Sequence, residues 1–128
     1  MFNHIMVGTN DIERSKSFYD AVLGVLGAGE PARNTNATGQ QRLFYRHDGS
    51  TFSVTEPIDG NAATVANGGT VAFKCGSPEQ LQALHDAAVA NGGVSIESPP
   101  GQRPHGMWLC YFRDPDGNKI CGLYRPAS

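Results

Sequence analysis

The chain has 128 residues, 39% hydrophobic and 17% charged, which is typical of one globular domain or of two half-sized modules sharing a core. Ten basic and twelve acidic residues give a net charge of −2 without any run of like charge, which argues against a nucleic-acid partner or an anionic membrane surface. Three cysteines without close pairing, no apolar stretch of membrane-spanning length and no visible secretory signal predict a reduced, cytoplasmic protein.

The first half of the chain predicts a strand, a helix, a loop that holds one short strand, and a hairpin. Thr9–Asp11 supplies helix-capping side chains, and the apolar stripe that follows has helical spacing as far as Gly24. Asp48-Gly49 is a signal for a two-residue hairpin turn. The strands and the loop are predicted, in chain order, at residues 2–8, 25–40, 42–47 and 50–56.

The second half predicts the same order of elements, after a polar linker from Pro57 to Gly69. Ser77–Gln80 is a capping signature with proline at the first helical position, and Asn91–Gly93 ends that helix. A long loop then runs to Gly106, and the last hairpin turns around Asp114–Asn118. The strands are predicted at residues 70–75, around 94–97, 107–113 and 119–124.

The two halves align at a constant offset. His4–Val7 lies over Thr70–Phe73 at an offset of 66 residues. The offset becomes 68 where Gly49 matches Gly117, because the second turn is two residues longer. We therefore predict an α+β fold in which two βαβββ modules share a single domain. The modules are about residues 1–58 and 68–128.

The two hairpin turns assign side chains to the faces of the sheet, because residues opposite each other in an antiparallel pair point the same way. With Asp48-Gly49 as the first loop, Phe44 opposes Ser53; with Pro115–Asn118 as the second, Phe112 opposes Cys121. One face is then apolar, and we expect the helices to cover it. Its residues are Ile5, Val7, Leu43, Tyr45, Phe52, Val54, Val71, Phe73, Leu109, Tyr111, Ile120 and Tyr124.

The opposite face mixes aromatic, cationic and small polar side chains, which suits a concave ligand cup. Its residues are His4, Met6, Arg42, Phe44, Arg46, Ser53, Thr55, Thr70, Lys74, Trp108, Cys110, Phe112 and Cys121. Cations beside aromatic rings can bind an anionic or aromatic ligand through ion pairs and cation–π contacts, or can simply extend along strand edges to water. The predicted ligand-binding residues are Arg42, Phe44, Arg46, Lys74, Trp108 and Phe112.

Two segments resemble the vicinal-oxygen-chelate superfamily: residues 4–24, with His4–Val7 and Asp11–Ser15, and Asp114–Ile120, with its Asp-Pro-Asp-Gly-Asn turn. That superfamily includes glyoxalase I, fosfomycin-resistance enzymes, extradiol dioxygenases, methylmalonyl-CoA epimerase and bleomycin-resistance proteins. The resemblance covers nearly the whole chain. It implies paired βαβββ modules whose curled, barrel-like mixed sheet carries the helices on its outer face. By analogy the modules often pair between chains, so we expect a homodimer.

Metal-using members of this superfamily hold a divalent ion on the first and last strands of each module. Carried over by motif position, the four ligand places fall on His4, Ser53, Thr70 and Cys121, and only His4 keeps the family residue type. Serine and threonine hydroxyls bind Zn²⁺, Fe²⁺ or Ni²⁺ poorly, so we predict no cofactor. The alternatives are one divalent metal (Zn, Ni, Fe or Mn) at His4 and Cys121, or a soft zinc site that adds Cys110; otherwise both cysteines are buried thiols.

The resemblance leaves three functions open, of which the third is an unrecognised reaction that uses His4, His105 or a cysteine thiolate. The first is a protein that binds a small molecule in the cup without the standard metal centre. The alternative is a metal-dependent glyoxalase-like lyase, isomerase or thiol transferase acting on a small oxygenated substrate. The candidates for a catalytic residue are His4, Cys121 and His105, although His105 can equally be an exposed histidine of its long loop. Whether the cup is built within one chain or between two chains stays open.

Overall fold

A computed structural model describes residues 1–127, which form nine strands and two helices. The first module contains β1 (Ile5–Gly8), α1 (Ile12–Val25), β2 (Ala32–Thr35), β3 (Gln41–His47) and β4 (Ser50–Thr55). The second contains β5 (Val71–Lys74), α2 (Pro78–Ala90), β6 (Val94–Ser95), β7 (Gly101–Gln102), β8 (Trp108–Arg113) and β9 (Lys119–Tyr124). The repeated order confirms the two βαβββ modules, and β7 is an additional short strand within the predicted long loop.

Each module builds its own mixed sheet. The first sheet has the strand order β1-β4-β3-β2, and the second has the order β5-β9-β8-β6, with β7 also paired to β8. In both sheets the first strand runs parallel to the last strand of its module, and the remaining neighbours are antiparallel. Within residues 1–127 no ladder of hydrogen bonds joins the two sheets, so the strands do not close into a barrel.

Both helices begin at the predicted capping residues. The Asp11 carboxylate accepts a 3.1 Å hydrogen bond from the backbone N–H of Arg14, and the Ser77 hydroxyl accepts one of 3.0 Å from that of Gln80. Helix α1 continues past Gly24, and the left-handed residue that follows it is Gly27, at φ 99°. Neither helix in the described part of the chain is long and apolar enough to cross a membrane.

The two helices contact each other, and the helix-covered faces of both sheets contribute to one hydrophobic core. Phe18 on α1 packs against Phe112 on β8 with ring centroids 6.1 Å apart. Phe52 of the first sheet meets Phe73 of the second edge-on at 5.1 Å. Burying each such side chain contributes about 1.5–3 kcal/mol, so the modules stabilise each other. Fully buried members of this core are Phe18, Tyr19, Leu43, Val54, Leu84, Phe112 and Ile120.

The last hairpin turn also ties the second module to the first through buried polar contacts. The Asp116 carboxylate accepts a 2.6 Å hydrogen bond from the Thr9 hydroxyl and a 2.8 Å ion-paired one from Arg14. The side-chain amide of Asn118 donates to the carbonyl oxygen of Gly8 at 2.9 Å. The Asp-Pro-Asp-Gly-Asn segment is therefore a connection between modules as well as a turn.

The register of this last hairpin differs by one residue from the prediction. Phe112 pairs with Ile120 and Arg113 with Lys119, so the loop has five residues where four were expected. Asp114 explains the difference, because its N–H donates to the Asn118 carbonyl at 2.9 Å and its carboxylate accepts the N–H of Asn118 at 2.9 Å. A shift of one residue exchanges the two faces of a strand.

The prediction that β8 places Trp108, Cys110 and Phe112 in the cup is therefore wrong. The Cys110 thiol lies 3.9 Å from the Leu81 carbonyl oxygen on α2, Phe112 is fully buried in the core, and Trp108 packs against that core. Conversely, two residues predicted to be helix-covered lie on the opposite side with Cys121; they are Leu109 and Tyr111. The first hairpin has the predicted register, with Phe44 opposite Ser53.

Candidate functional site

The helix-free face of the first sheet carries a row of alternating residues on β3, which we call the Arg42–Phe44–Arg46 row. The guanidinium carbons of Arg42 and Arg46 lie 5.8 and 5.4 Å from the centroid of the Phe44 ring. Both distances allow a cation–π contact. The placement of these three predicted ligand-binding residues on one face is confirmed by the strand register.

No carboxylate neutralises this row among the described residues. The Nε of Arg42 donates to the Asn34 side chain at 2.8 Å, and neither Arg42 nor Arg46 forms an ion pair within residues 1–127. Arg46 is exposed and Arg42 half-buried, so the row presents two positive charges to solvent. The basic residues that do pair with carboxylates lie elsewhere: Arg14, Lys16, Arg33 and Lys119.

Ser53 lies at the centre of the same face, paired with Phe44 on one side and Met6 on the other. It is fully buried, and its hydroxyl has no hydrogen-bond partner among the described residues. A buried polar group without a partner costs about 1–3 kcal/mol. Ser53 thus leaves a buried hydroxyl with an unused hydrogen-bonding capacity beneath the cationic row.

A groove of about 850 Å³ is lined by residues of β1 and β5, the edge strands of the two sheets. It brings together three predicted site residues, His4, Thr70 and Lys74, all of which are exposed. The Nδ1 of His4 lies 2.8 Å from the side-chain oxygen of Asn3. The groove is backed by apolar and aromatic side chains, among them Tyr45, Phe52 and Phe73. Lys74 therefore lies on a different surface from the Arg42–Phe44–Arg46 row.

Cys121 lies on the helix-free face of the second sheet, between Ala72 on β5 and Tyr111 on β8. It is only 3% exposed, and burial raises the pKa of its thiol despite the opposing effects of Tyr111, Lys119 and Arg103. Cys110 points to the opposite, helix-covered side, where burial raises its pKa to about 12. The prediction of a zinc site that combines the two cysteines is therefore wrong, because β8 and β9 direct their thiols to different faces of the sheet.

The donor set does not fit the four-ligand ion of metal-using superfamily members. Of the four corresponding places, His4 and Thr70 line the groove between the sheet edges, whereas Ser53 and Cys121 are buried and do not line it. Two of the four side chains are hydroxyls, which bind transition metals weakly. Residues 1–127 contain no group of three or more His, Cys, Asp or Glu side chains placed to hold a metal ion.

His105 and Arg103 lie in the turn between β7 and β8. The Nδ1 of His105 accepts a 3.2 Å hydrogen bond from the backbone N–H of Met107, and the ring is exposed. The Arg103 side chain instead folds back, and its Nη1 donates to the carbonyl oxygens of Pro99 and Gly101, each at 3.0 Å. Sequence reasoning missed Arg103, because the short strand β7 was not predicted and the long loop therefore had no strand parity to assign this side chain to a face.

Comparison with known proteins agrees with this architecture. The sequence model of the Glyoxalase/Bleomycin resistance protein/Dioxygenase superfamily matches residues 1–121, and the chain belongs to that superfamily. A glyoxalase/bleomycin resistance protein from Albidiferax ferrireducens is 53% identical in sequence; the match covers 98% of this chain and 99% of that one, with a TM-score of 0.88. No curated protein matches the chain.

More distant solved structures share the fold alone. A glyoxalase-related enzyme from Fulvimarina pelagi is 23% identical with a TM-score of 0.75, over 98% of this chain and 88% of that one. A genomically encoded fosfomycin resistance protein from Listeria monocytogenes is 16% identical with a TM-score of 0.72, over 100% of this chain and 93% of that one. The superfamily fold is thus common to proteins with different activities, and function depends on the side chains of the site.

Proposed function

We propose that this protein binds a small anionic aromatic molecule on the helix-free face of its first sheet, without the superfamily's standard metal centre. The observation that carries the proposal is the Arg42–Phe44–Arg46 row, in which two guanidinium groups approach one ring and have no carboxylate partner within residues 1–127. A ligand with a ring and an acidic group complements both parts, because the ring packs on Phe44 and the acid pairs with an arginine.

The surroundings of the row suit such a ligand. Thr51 and Thr55 stand directly opposite Arg46 and Arg42, and Ser53 stands opposite Phe44. Hydroxyl groups beside a cation can form hydrogen bonds with the polar end of a ligand, as donors or as acceptors. The phenyl ring of Phe44 supplies apolar area for the rest of the ligand. The combination is one aromatic ring, two cations and the partly exposed hydroxyls of Thr51 and Thr55 on adjacent strands, with the Ser53 hydroxyl buried between them.

We also propose that a second copy of the chain covers the edge strands. β1 and β5 each pair with only one neighbour within the described chain, so one side of each backbone has no strand partner. On β1, Ile5 and Met6 point to opposite faces and are each 37% exposed. Because the two modules repeat the same topology, β1 of one copy can meet β5 of another in a closed, symmetric pair.

The binding proposal is tested by titrating the protein with benzoate, phenylphosphonate and uncharged benzamide at constant ionic strength, followed by ¹H–¹⁵N NMR. We expect both anions to shift resonances of β3 and β4, with benzamide binding more weakly. In Arg42→Gln/Arg46→Gln the affinity for the anions should fall on the order of tenfold or more, the value of one or two charged hydrogen bonds.

Arg33→Gln is the matched control, because it removes one positive charge from the same sheet at an arginine already paired with Glu13. It should leave the anion affinity within about twofold, the scale of a screened surface charge. An equal loss in Arg33→Gln, or no binding of either anion to the unmodified protein, contradicts the proposal.

Metal analysis tests the proposal that the protein works without the superfamily's standard metal centre. The protein is purified without chelators and without metal-affinity resin, and its content of Zn, Ni, Fe and Mn is measured against protein concentration. We expect a substoichiometric content of all four metals. A stoichiometric metal that is lost in His4→Ala would contradict a metal-free site and support the metal-dependent lyase, isomerase or transferase instead.

A further inference from the structure

The turn between β7 and β8 holds Arg103 over the helix-free face of the second sheet. β7 pairs Gly101 with Leu109, and the backbone N–H of Arg103 donates to the Met107 carbonyl at 2.9 Å, which continues that register. Alternation along the strand therefore places Arg103 on the same face as Gly101 and Leu109. Leu109 in turn stands opposite Leu123 on β9, on the face that carries Cys121.

The guanidinium of Arg103 is oriented by backbone atoms. Its Nη1 donates to the carbonyl oxygens of Pro99 and Gly101, each at 3.0 Å. Its Nη2 is buried and has no hydrogen-bond partner among the described residues. Two carbonyl groups fix the plane of the side chain, but they carry no net charge and leave its positive charge uncompensated.

No carboxylate within residues 1–127 forms an ion pair with Arg103. The neighbouring cation of this face, Lys119, is by contrast paired with Glu97 and lies 4.9 Å from the centroid of the Tyr111 ring. The charge of Arg103 extends to Cys121, since it is one of the effects that oppose the burial-raised pKa of that thiol. Arg103 is therefore a fixed, partly buried cation that has no counter-charge in the described part of the chain.

We propose that Arg103 binds an oxyanion, the carboxylate or phosphonate group of a small ligand, on the helix-free face of the second sheet. This inference takes only the class of ligand from the proposed function. The subsite itself is separate, because it lies on the second sheet and the Arg42–Phe44–Arg46 row lies on the first. An oxyanion supplies the acceptor that Nη2 lacks and neutralises the cation in the same contact. The planar guanidinium suits this role better than an ammonium group, because its donors keep a fixed geometry.

The experiment uses the same three probes, benzoate, phenylphosphonate and benzamide, on the full chain at constant ionic strength. The readouts are the side-chain Nε–H resonance of Arg103 and the backbone amides of Tyr111 and Cys121. We expect both anions, but not benzamide, to shift these signals. The affinity at this subsite should fall on the order of tenfold in Arg103→Gln. It should fall by less in Arg103→Lys, which keeps the charge but loses the planar arrangement of N–H donors.

Arg33→Gln again serves as the control for removal of one charge, and circular dichroism confirms that each variant is folded. Unchanged anion affinity at Tyr111 and Cys121 in both Arg103 variants would overturn the inference. The two proposals fail separately. Loss of the subsite with normal shifts on β3 and β4 leaves the Arg42–Phe44–Arg46 row intact, and the reverse pattern leaves the Arg103 subsite intact.

Discussion

The phenolic hydroxyl of Tyr19 donates a 2.6 Å hydrogen bond to Oδ2 of Asp114, joining α1 of the first module to the last turn of the second. Both side chains are buried, and burial together with the charge of Asp114 raises the pKa of Tyr19 well above its ordinary value. The same carboxylate accepts the backbone N–H groups of Asp116 and Asn118 at 2.9 Å each. One contact thus links the association of the modules to the register of β8 and β9.

We predict that Tyr19→Phe lowers the free energy of unfolding by about 1–3 kcal/mol, because the carboxylate of Asp114 loses a donor inside the core. Urea denaturation at neutral pH measures the change. The matched control is Tyr45→Phe, whose hydroxyl donates at 2.8 Å to the half-buried Asp20 and should cost less, about 0.5–1.5 kcal/mol. Equal losses in the two variants would show that the buried contact between the modules contributes no more to the free energy of unfolding than the half-buried contact of Tyr45.

We predict that Gly122→Ala destabilises the protein by about 1–3 kcal/mol through overpacking. A Cβ at Gly122 would lie 2.7 Å from the Sγ of Cys110 on β8 and 2.9 Å from the Cδ2 of Leu84 on α2. Gly24→Ala is the control, since nothing lies within 4 Å of a Cβ there and alanine favours the helix by about 0.5–1 kcal/mol. Thermal or urea unfolding of both variants tests this, and a neutral Gly122→Ala would contradict the observed register of β9.

The buried thiols predict a loss of stability at alkaline pH. Burial raises the pKa of Cys75 to about 11 and that of Cys110 to about 12, from an ordinary value of 9.0. Folding favours the protonated thiols, so their contribution is complete below pH 9.0 and is lost as the pH rises through these values. The free energy of unfolding should fall by up to about 1.4 kcal/mol per pH unit for each such thiol.

Urea denaturation at several pH values between 7.5 and about 10.5 measures this slope, in buffers of equal ionic strength. Tyr19 acts in the same direction above pH 10, since its pKa is also raised, so the comparison that isolates a thiol is the one with Cys110→Ala. That variant should show a shallower fall with pH than the unmodified protein. An identical slope in the two proteins would mean that Cys110 ionises equally in the folded and unfolded states.

We predict that Met6→Glu converts a dimer into a monomer of 13.6 kDa, because it places a charge on the exposed face of the edge strand β1. Sedimentation equilibrium measures the mass over a range of concentrations. Val89→Glu is the control, since Val89 is 48% exposed on α2, away from the edge strands. An unmodified protein that sediments as a monomer at all concentrations would refute the proposed pairing of β1 with β5.

Much of the fold could be predicted because its signals are local. Asp11 and Ser77 cap their helices as expected, since a side-chain oxygen three residues before a free N–H acts within one turn. The first hairpin also has the predicted register, because Asp48-Gly49 forms a two-residue turn in which both residues have positive φ. Strand parity then places the Arg42–Phe44–Arg46 row correctly.

The second hairpin could not be predicted in the same way. Its loop length depends on Asp114, whose carboxylate is held by Tyr19 from the other module as well as by the turn itself. The five-residue loop moves Trp108 and Phe112 from the expected cup to the core, because a shift of one residue exchanges the faces of β8.

Sequence patterns alone predicted the duplicated modules, the caps of both helices and the face on which Arg42 and Arg46 lie, because each follows from spacing within a few residues or from a constant offset. The faces of β8, the separation of Cys110 from Cys121 and the placement of the partly buried guanidinium of Arg103 became known from the folded chain alone. These features depend on contacts between residues that are far apart in the chain. Local sequence patterns do not predict how such residues pack or how their charges are balanced.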